Sequence, residues 1–148
     1  MQIIFKQNTA STEELYQHLF NCDNHFVPPL SEKIDIQVYA QKLKGNAHLF
    51  EAWSENVLAG FVAVYINNDV EKTAFISNVS IEDIYKRKGI TSELMQRCLA
   101  FVKQNGYNKI ILEVNEKNEA AVALYIKFGF ILLSRKNNSI FMQLNLAQ

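Results

Sequence analysis

Three basic residues and a glycine stand together in YKRKGITSELM, residues 85–95, just before an apolar rhythm of helical period. The first amide hydrogens of a helix lack internal acceptors, and the aligned peptide dipoles add partial positive charge there. Lys86, Arg87, Lys88, Gly89, Ile90, Thr91 and Ser92 are therefore suited by type and position to hold an anion. Gly89 has no Cβ to keep an oxygen away from the backbone. A solvated turn of basic residues ahead of a helix is the other reading of the same letters. Further on, the run ILEVN sets one carboxylate, Glu113, among apolar residues. A carboxylate buried in such a run needs a partner or a purpose, and burial moves carboxylates toward the range of a general base. Structural hydrogen bonding accounts for it equally well. Asn118 opens NEAAVALYIKFGF, and asparagine is among the best helix caps. Tyr125, in the middle of that helix, reads from its residue type as a core aromatic with a hydrogen-bonded hydroxyl. His18, His25 and His48 lack metal-ligand spacing and read as surface or half-buried residues, so no metal is expected. Cys22 and Cys98 stand alone, without CxxC spacing, which argues against a disulfide or a zinc site.

Chemistry at these positions depends on the elements that carry them. Residues 2–7 read as a short strand. Ser11 with Glu14 three places on forms a capping box, and Leu15, His18 and Leu19 share one face of the helix begun there. Pro28 and Pro29 stop what precedes them, and Ser31 is placed to cap a second helix through Ile34, Val38, Tyr39 and Leu43. Residues 48–53 and 57–66 are β-rich runs joined by a short turn, and 73–81 supplies a further strand. The basic turn then leads into a helix over 90–104, whose apolar face is Ile90, Leu94, Cys98, Leu99 and Val102 and whose stop is Asn105 and Gly106. A strand over 109–114, a helix over 118–128 and strands over 130–134 and 140–146 complete the order. This order predicts an α/β (α+β) fold, a single mixed, mostly antiparallel sheet of about seven strands flanked by about four helices.

Two of these segments together carry a family likeness. The chain resembles the GNAT superfamily of acyl-CoA-dependent N-acyltransferases, in which a V.P..(Q/R)xxGx(G/A) segment holds the CoA pyrophosphate and an NxxAxxLYxxxGF segment lines the pantetheine arm. Asn118, Ala121, Leu124, Tyr125, Gly129 and Phe130 match the second pattern at every fixed position. The first is matched more loosely, with Ile81 for Val, Asp83 for Pro, Lys86 for Arg or Gln, Gly89 for the first glycine and Thr91 for the second. Lys86 keeps the charge of Arg but not its planar fork, and the Thr91 hydroxyl stands where the family has little or no side chain. The likeness covers roughly residues 57–135 and implies a GNAT-like domain with acetyl-CoA as co-substrate. It also implies roles. The Val79 amide would donate to the thioester oxygen and the Ile81 amide to the pantetheine, while Tyr125, whose phenol is still protonated at neutral pH, would protonate the departing sulfur. Some relatives carry their base on the strand equivalent to 73–81, but the position is Phe75 here. Others carry a glutamate twelve residues before the tyrosine, the relation of Glu113 to Tyr125. A water held by Ser77 or Asn78 is the alternative base. Asn118 would touch the pantetheine and Lys127 the 3′-phosphate, although an exposed helical lysine explains Lys127 as well.

Bulk composition bounds the partners. One hundred and forty-eight residues, 49% hydrophobic, suit one core and one domain over 1–148. Fifteen Lys and Arg against fifteen Asp and Glu leave no net field for nucleic acid or an anionic membrane. MQIIFKQ has too few apolar residues for a signal peptide and no apolar run is long enough to span a bilayer, so a soluble, cytoplasmic chain is expected. The expected acceptor is a small-molecule amine. In the family it binds near the first two helices, where His25, Phe26, Tyr39 and Tyr65 would form a modestly polar wall for a sugar or amino acid derivative. A loose resemblance to small bacterial GNAT enzymes of surface-polysaccharide pathways implies an amino sugar. Peptide or protein N-terminal acetylation, and a non-catalytic CoA-binding regulatory module, are the rival readings. Relatives are often dimers; Ile140, Phe141 and Met142 in the last strand suit either a homodimer contact or a buried terminal strand.

Overall fold

Ser11 starts the first helix by the expected device. Its Oγ accepts from the Glu14 amide at 3.1 Å, and the Glu14 carboxylate accepts from the Ser11 amide at 2.9 Å. The computed structural model describes residues 2–146. In chain order its elements are β1 (Ile3–Gln7), α1 (Thr12–Asn21), α2 (Ile36–Asn46), β2 (His48–Ser54), β3 (Val57–Tyr65), β4 (Thr73–Ile81), α3 (Ile90–Gln104), β5 (Lys109–Asn115), α4 (Glu119–Lys127), β6 (Ile131–Lys136) and β7 (Ser139–Asn145). Short 3-10 turns at Asp23–His25, Leu30–Glu32 and Asp83–Tyr85 fill the loops.

The second helix corrects the expectation for Ser31. Asp35 is the cap, accepting from the Val38 amide at 3.1 Å, while Ser31 donates its amide and hydroxyl to the Asp23 carboxylate at 2.7 and 2.6 Å. A partner eight residues back outcompeted the local helix, which periodicity does not reveal.

The strands form one sheet in the order β1-β2-β3-β4-β5-β7-β6; among the described residues β4 and β5 are the only parallel neighbours. Helices cover it on two sides. On one, α3 and α4 bury Leu94, Met95, Cys98 and Tyr125 against Val62, Ile76, Ile110, Leu112 and Met142. On the other, α1 and α2 bury Leu15, Leu19, Ala40 and Leu43 against Leu49, Trp53, Phe61 and Ala63. This explains why β3 reads VLAGFVAVY without polar alternation: it is buried on both faces. β7 lies between β5 and β6, with Ile140 and Met142 buried, so of the two readings of the last strand the buried one holds for those residues. The edge strand beside it is β6, where Ile131, Leu132 and Leu133 are exposed, and β1 is the edge at the other end.

Strand β4 is irregular on both edges. Opposite β3 the register passes from Val64↔Ile76 to Ala63↔Asn78, leaving Ser77 as a bulge. The parallel ladder with β5 stops at Ile76↔Leu112, although β4 continues to Ile81 and β5 to Asn115. Beyond that point the two central strands part.

Candidate active site

The gap leaves backbone groups of β4 without a strand partner. The Glu82 amide donates to the Ala59 carbonyl of β3 at 2.9 Å, and in extended chain successive amides point to opposite edges. The amides of Ser80 and Glu82 therefore face β3, and those of Val79 and Ile81 face the gap. Between the parted strands lies a cavity of about 380 Å³. Ser77, Asn78 and Val79 form one wall, residues 112–115 of β5 the next, and Asn118, Ala121 and Tyr125 of α4 the third. Phe26, Pro28, Leu30 and Tyr39 close it from the α1–α2 side.

Tyr125 reaches this cavity from α4, with only 7% of its surface exposed and its ring 5.8 Å from that of Phe130. Among the described residues its hydroxyl makes no hydrogen bond, which departs from the capped core aromatic that its residue type alone suggests. Burial pushes its phenol up to about 12, so the proton stays in place through the neutral range. Asn118 is the α4 cap, its Oδ1 accepting from the Ala121 amide at 3.3 Å.

Glu113 departs from the expected burial. It sits on the open face of β5, exposed, where the Ser139 hydroxyl of β7 donates to its Oε2. It lines the rim of the cavity rather than an apolar interior. The fully buried carboxylate is Glu51 on β2, which accepts from the Thr9 and Ala10 amides at 2.9 Å each, from the Thr9 hydroxyl at 2.5 Å and from Trp53 Nε1 at 3.0 Å. Its lone pairs are filled, so it ties β1 and α1 to β2. The run HLFEAW carries the signal that marked ILEV, a single acid among apolar residues, and would have revealed it.

On the far side of β4 the chain passes through Lys86 and Arg87, the latter with φ of +63°, to Gly89 with φ of +78°, and α3 begins. Ser11, Asp35 and Asn118 cap their helices with side chains; α3 has no such cap, so its first amides are available. A Cβ on Gly89 would meet nothing within 4 Å, which makes the left-handed backbone, and not crowding, the need for glycine there. Ile90 is buried as the first core residue of α3, with Thr91 and Ser92 half-buried behind it. Arg87 and Lys88 are exposed and without an ion pair among the described residues. Lys86 is engaged, its Nζ 2.9 Å from Asp83 Oδ1, and this contact holds the Asp83 carboxyl below the usual carboxylate range. Lys127 is exposed on α4.

Of the expected acceptor wall, Phe26 and Tyr39 line the cavity. Tyr65 lines a neighbouring groove that shares Phe75 with it and continues over Ile111, Leu133 and Phe141. His25 turns away to Asp83, 3.0 Å from Oδ2. His18 corrects its expectation, being 2% exposed, with Nδ1 3.0 Å from the Leu58 carbonyl and Nε2 3.0 Å from Ser80 Oγ. Cys22 and Cys98 are free, buried thiols, both pushed up to about 12 chiefly by burial. Among the described residues no group of three metal-ligating side chains occurs, and no helix is long and apolar enough to cross a membrane.

A mixed sheet parted at one parallel pair holds a buried phenol in the gap, and the helix that follows the parted strand starts without a side-chain cap. The model of the acetyltransferase (GNAT) family matches residues 12–130, and the chain belongs to that family. Among curated relatives, the [ribosomal protein bS18]-alanine N-acetyltransferase of Escherichia coli is 27% identical over 107 residues, covering 62% of this chain and 72% of that one. The mycothiol acetyltransferase of Corynebacterium efficiens is 30% identical over 83 residues, 56% of this chain and 27% of that one. The chain spans about half, or less, of the length of the first curated relatives it matches, 51% for one and 27% for another. Among solved structures, the PaiA N-acetyltransferase of Thermoplasma acidophilum in complex with coenzyme A superposes with a TM-score of 0.75 at 16% identity, covering 98% of this chain and 99% of that one.

Proposed function

We propose that the chain transfers the acetyl group of acetyl-CoA to a primary amine on a small-molecule acceptor, by direct attack on the thioester. One observation carries the reading: β4 and β5 part after Ile76 and Leu112, opening a cavity that receives both the Val79 amide edge and the Tyr125 side chain. The α3 start fits a diphosphate, with amides free of a side-chain cap and Arg87 and Lys88 unpaired beside it among the described residues. Asn118 and the Ile81 amide suit the polar pantetheine arm. The amine nitrogen attacks the carbonyl carbon, and the oxygen, now negative, takes a hydrogen bond from the Val79 amide. The C–S bond then breaks, and the sulfur leaves with the proton of Tyr125. The amine proton goes to Glu113, the one carboxylate among the described residues lining the cavity, directly or through a water held by Ser77 or Asn78. Apolar Phe26, Leu30 and Phe75 suit an acceptor with an apolar flank, such as an amino acid derivative, more than a bare sugar. Acetyl-CoA supply and the free thiols of Cys22 and Cys98 suit a cytoplasmic setting.

The test incubates the chain with acetyl-CoA and a panel of small amines while free thiol is followed. Amine-dependent thiol release supports the reading. Calorimetric binding of coenzyme A without thiol release on any amine would make the chain a regulatory module instead. A second reading, acetylation of a peptide N-terminus, is favoured by the groove that shares Phe75 with the cavity and continues across Ile111 and Phe141. Its signature is faster turnover on peptides than on the free amino acids of their first position.

A further inference from the structure

Over Asn78 to Ile81, β4 is bonded to β3 on one edge only, so nothing in the sheet holds the edge that presents the Val79 amide. Two side chains reach this segment from the helices packed on it. From α2, the Tyr39 hydroxyl lies 3.2 Å from the Ser77 carbonyl oxygen and 2.5 Å from Ser77 Oγ. A phenol has one proton, so it donates to the carbonyl and accepts from the Ser77 hydroxyl. From α1, His18 bridges two strands, with Nδ1 3.0 Å from the Leu58 carbonyl of β3 and Nε2 3.0 Å from Ser80 Oγ of β4. A carbonyl only accepts, so Nδ1 carries a proton, and Nε2 is hydrogen-bonded to the Ser80 hydroxyl. Phe61 meets the imidazole edge-on, with ring centres 5.3 Å apart, and keeps it from turning. The two anchored serines bracket Asn78 and Val79.

We propose that Tyr39 and His18 are positioning residues which, through Ser77 and Ser80, aim the Val79 amide at the thioester oxygen. The proposal rests on the acetyl-transfer reading, in which that amide receives the oxygen. A donor stabilises developing charge only when its direction is fixed beforehand, and a bulged segment bonded on one edge is free to twist about that edge. The serine anchors remove that freedom from the α1–α2 side of the cavity, where Tyr39 and Ser77 line its wall. Coenzyme A without its acetyl group has no thioester carbonyl for the Val79 amide to receive, and Ile81 lies beyond the Ser80 anchor, so its affinity depends on them far less than turnover does.

The test uses acetyl-CoA labelled with 13C at the carbonyl, bound to the whole chain with no amine present. In the unmodified protein the hydrogen bond moves the carbonyl resonance downfield of its position in free solution. Tyr39→Phe, which keeps the ring, and Ser80→Ala, which keeps the backbone, should each return the resonance toward the free position. Turnover should fall about tenfold, because a donor is misdirected and not lost, while affinity for coenzyme A and Tm stay near those of the unmodified chain. A resonance unmoved in both variants overturns the proposal. So does a loss of shift that comes with equal losses in coenzyme A affinity and Tm, since that marks a structural role. If the unmodified chain gives neither heat with coenzyme A nor a displaced resonance, the acetyl-transfer reading beneath the proposal falls first.

Discussion

Tyr125 keeps its proton far into the alkaline range because the apolar side of α4 and Phe130 deny its phenolate water. That suits an acid facing a thiolate leaving group and sets a prediction at the residue scale. Tyr125→Phe keeps the ring and removes the proton, so turnover should fall about a hundredfold while coenzyme A affinity is unchanged, as single-turnover kinetics and calorimetry would read. In the unmodified chain the alkaline limb of kcat should stay flat to at least about pH 10, because the acid is still protonated there. The sequence carried the position of this side chain but not its free hydroxyl, since a matched tyrosine says nothing about what fails to reach it. For the carboxylates the limit was of another kind. Glu113 and Glu51 both sit in apolar runs, yet β5 leaves one face open at Glu113 whereas β2 is covered at Glu51 by Thr9, Ala10 and Trp53. Composition along one strand cannot tell which face its neighbours cover.

At the α3 start the proposed diphosphate site rests on the element and not on any one side chain. Ile90, Leu94, Cys98 and Val102 fix the helix on the sheet, and Gly89 at φ of +78° turns the chain into a helix start whose first amides have no side-chain cap. An L side chain in that backbone costs roughly 1 kcal/mol or somewhat more. Gly89→Ala should therefore weaken coenzyme A binding about tenfold by distorting the turn, with turnover at saturating acetyl-CoA nearly unchanged; equal loss of both would contradict the assignment. The helix was legible from the spacing of its apolar residues and from Asn105 and Gly106, which end it as expected, Gly106 at φ of +82°. The pairing of Lys86 with Asp83 was not, because a 3-10 turn at Asp83–Tyr85 brings them together and no periodicity announces so short a turn. The bulge at Ser77 was equally silent: it exists only in the register with β3.

Across the whole molecule, two buried layers on a single sheet hold several groups in their neutral forms. Cys22, Cys98, Tyr39 and Tyr125 are all pushed up to about 12, with burial the largest cause in each. Each ionises more readily unfolded, the thiols near 8.5 and the phenols near 10. Their contribution to stability is therefore complete below those values and is lost as pH rises toward the folded ones. Tm should hold steady through neutral pH and drop between about pH 9 and 12; a Tm rising over that interval would contradict the burial. The class of fold was legible at this scale, since the order of strands and helices and the doubly apolar β3 survive intact. The edge was not, because nothing in Ile131 to Lys136 says that β7 returns inside it.

Where β4 lets go of β5, solvent deuterium gains an entry. The Val79 and Ile81 amides lie at the geometric middle of a seven-stranded sheet, a region usually the last to exchange, yet no strand shields them. In the empty chain they should label far sooner than Ser80 between them, and a bound acyl donor should silence them both.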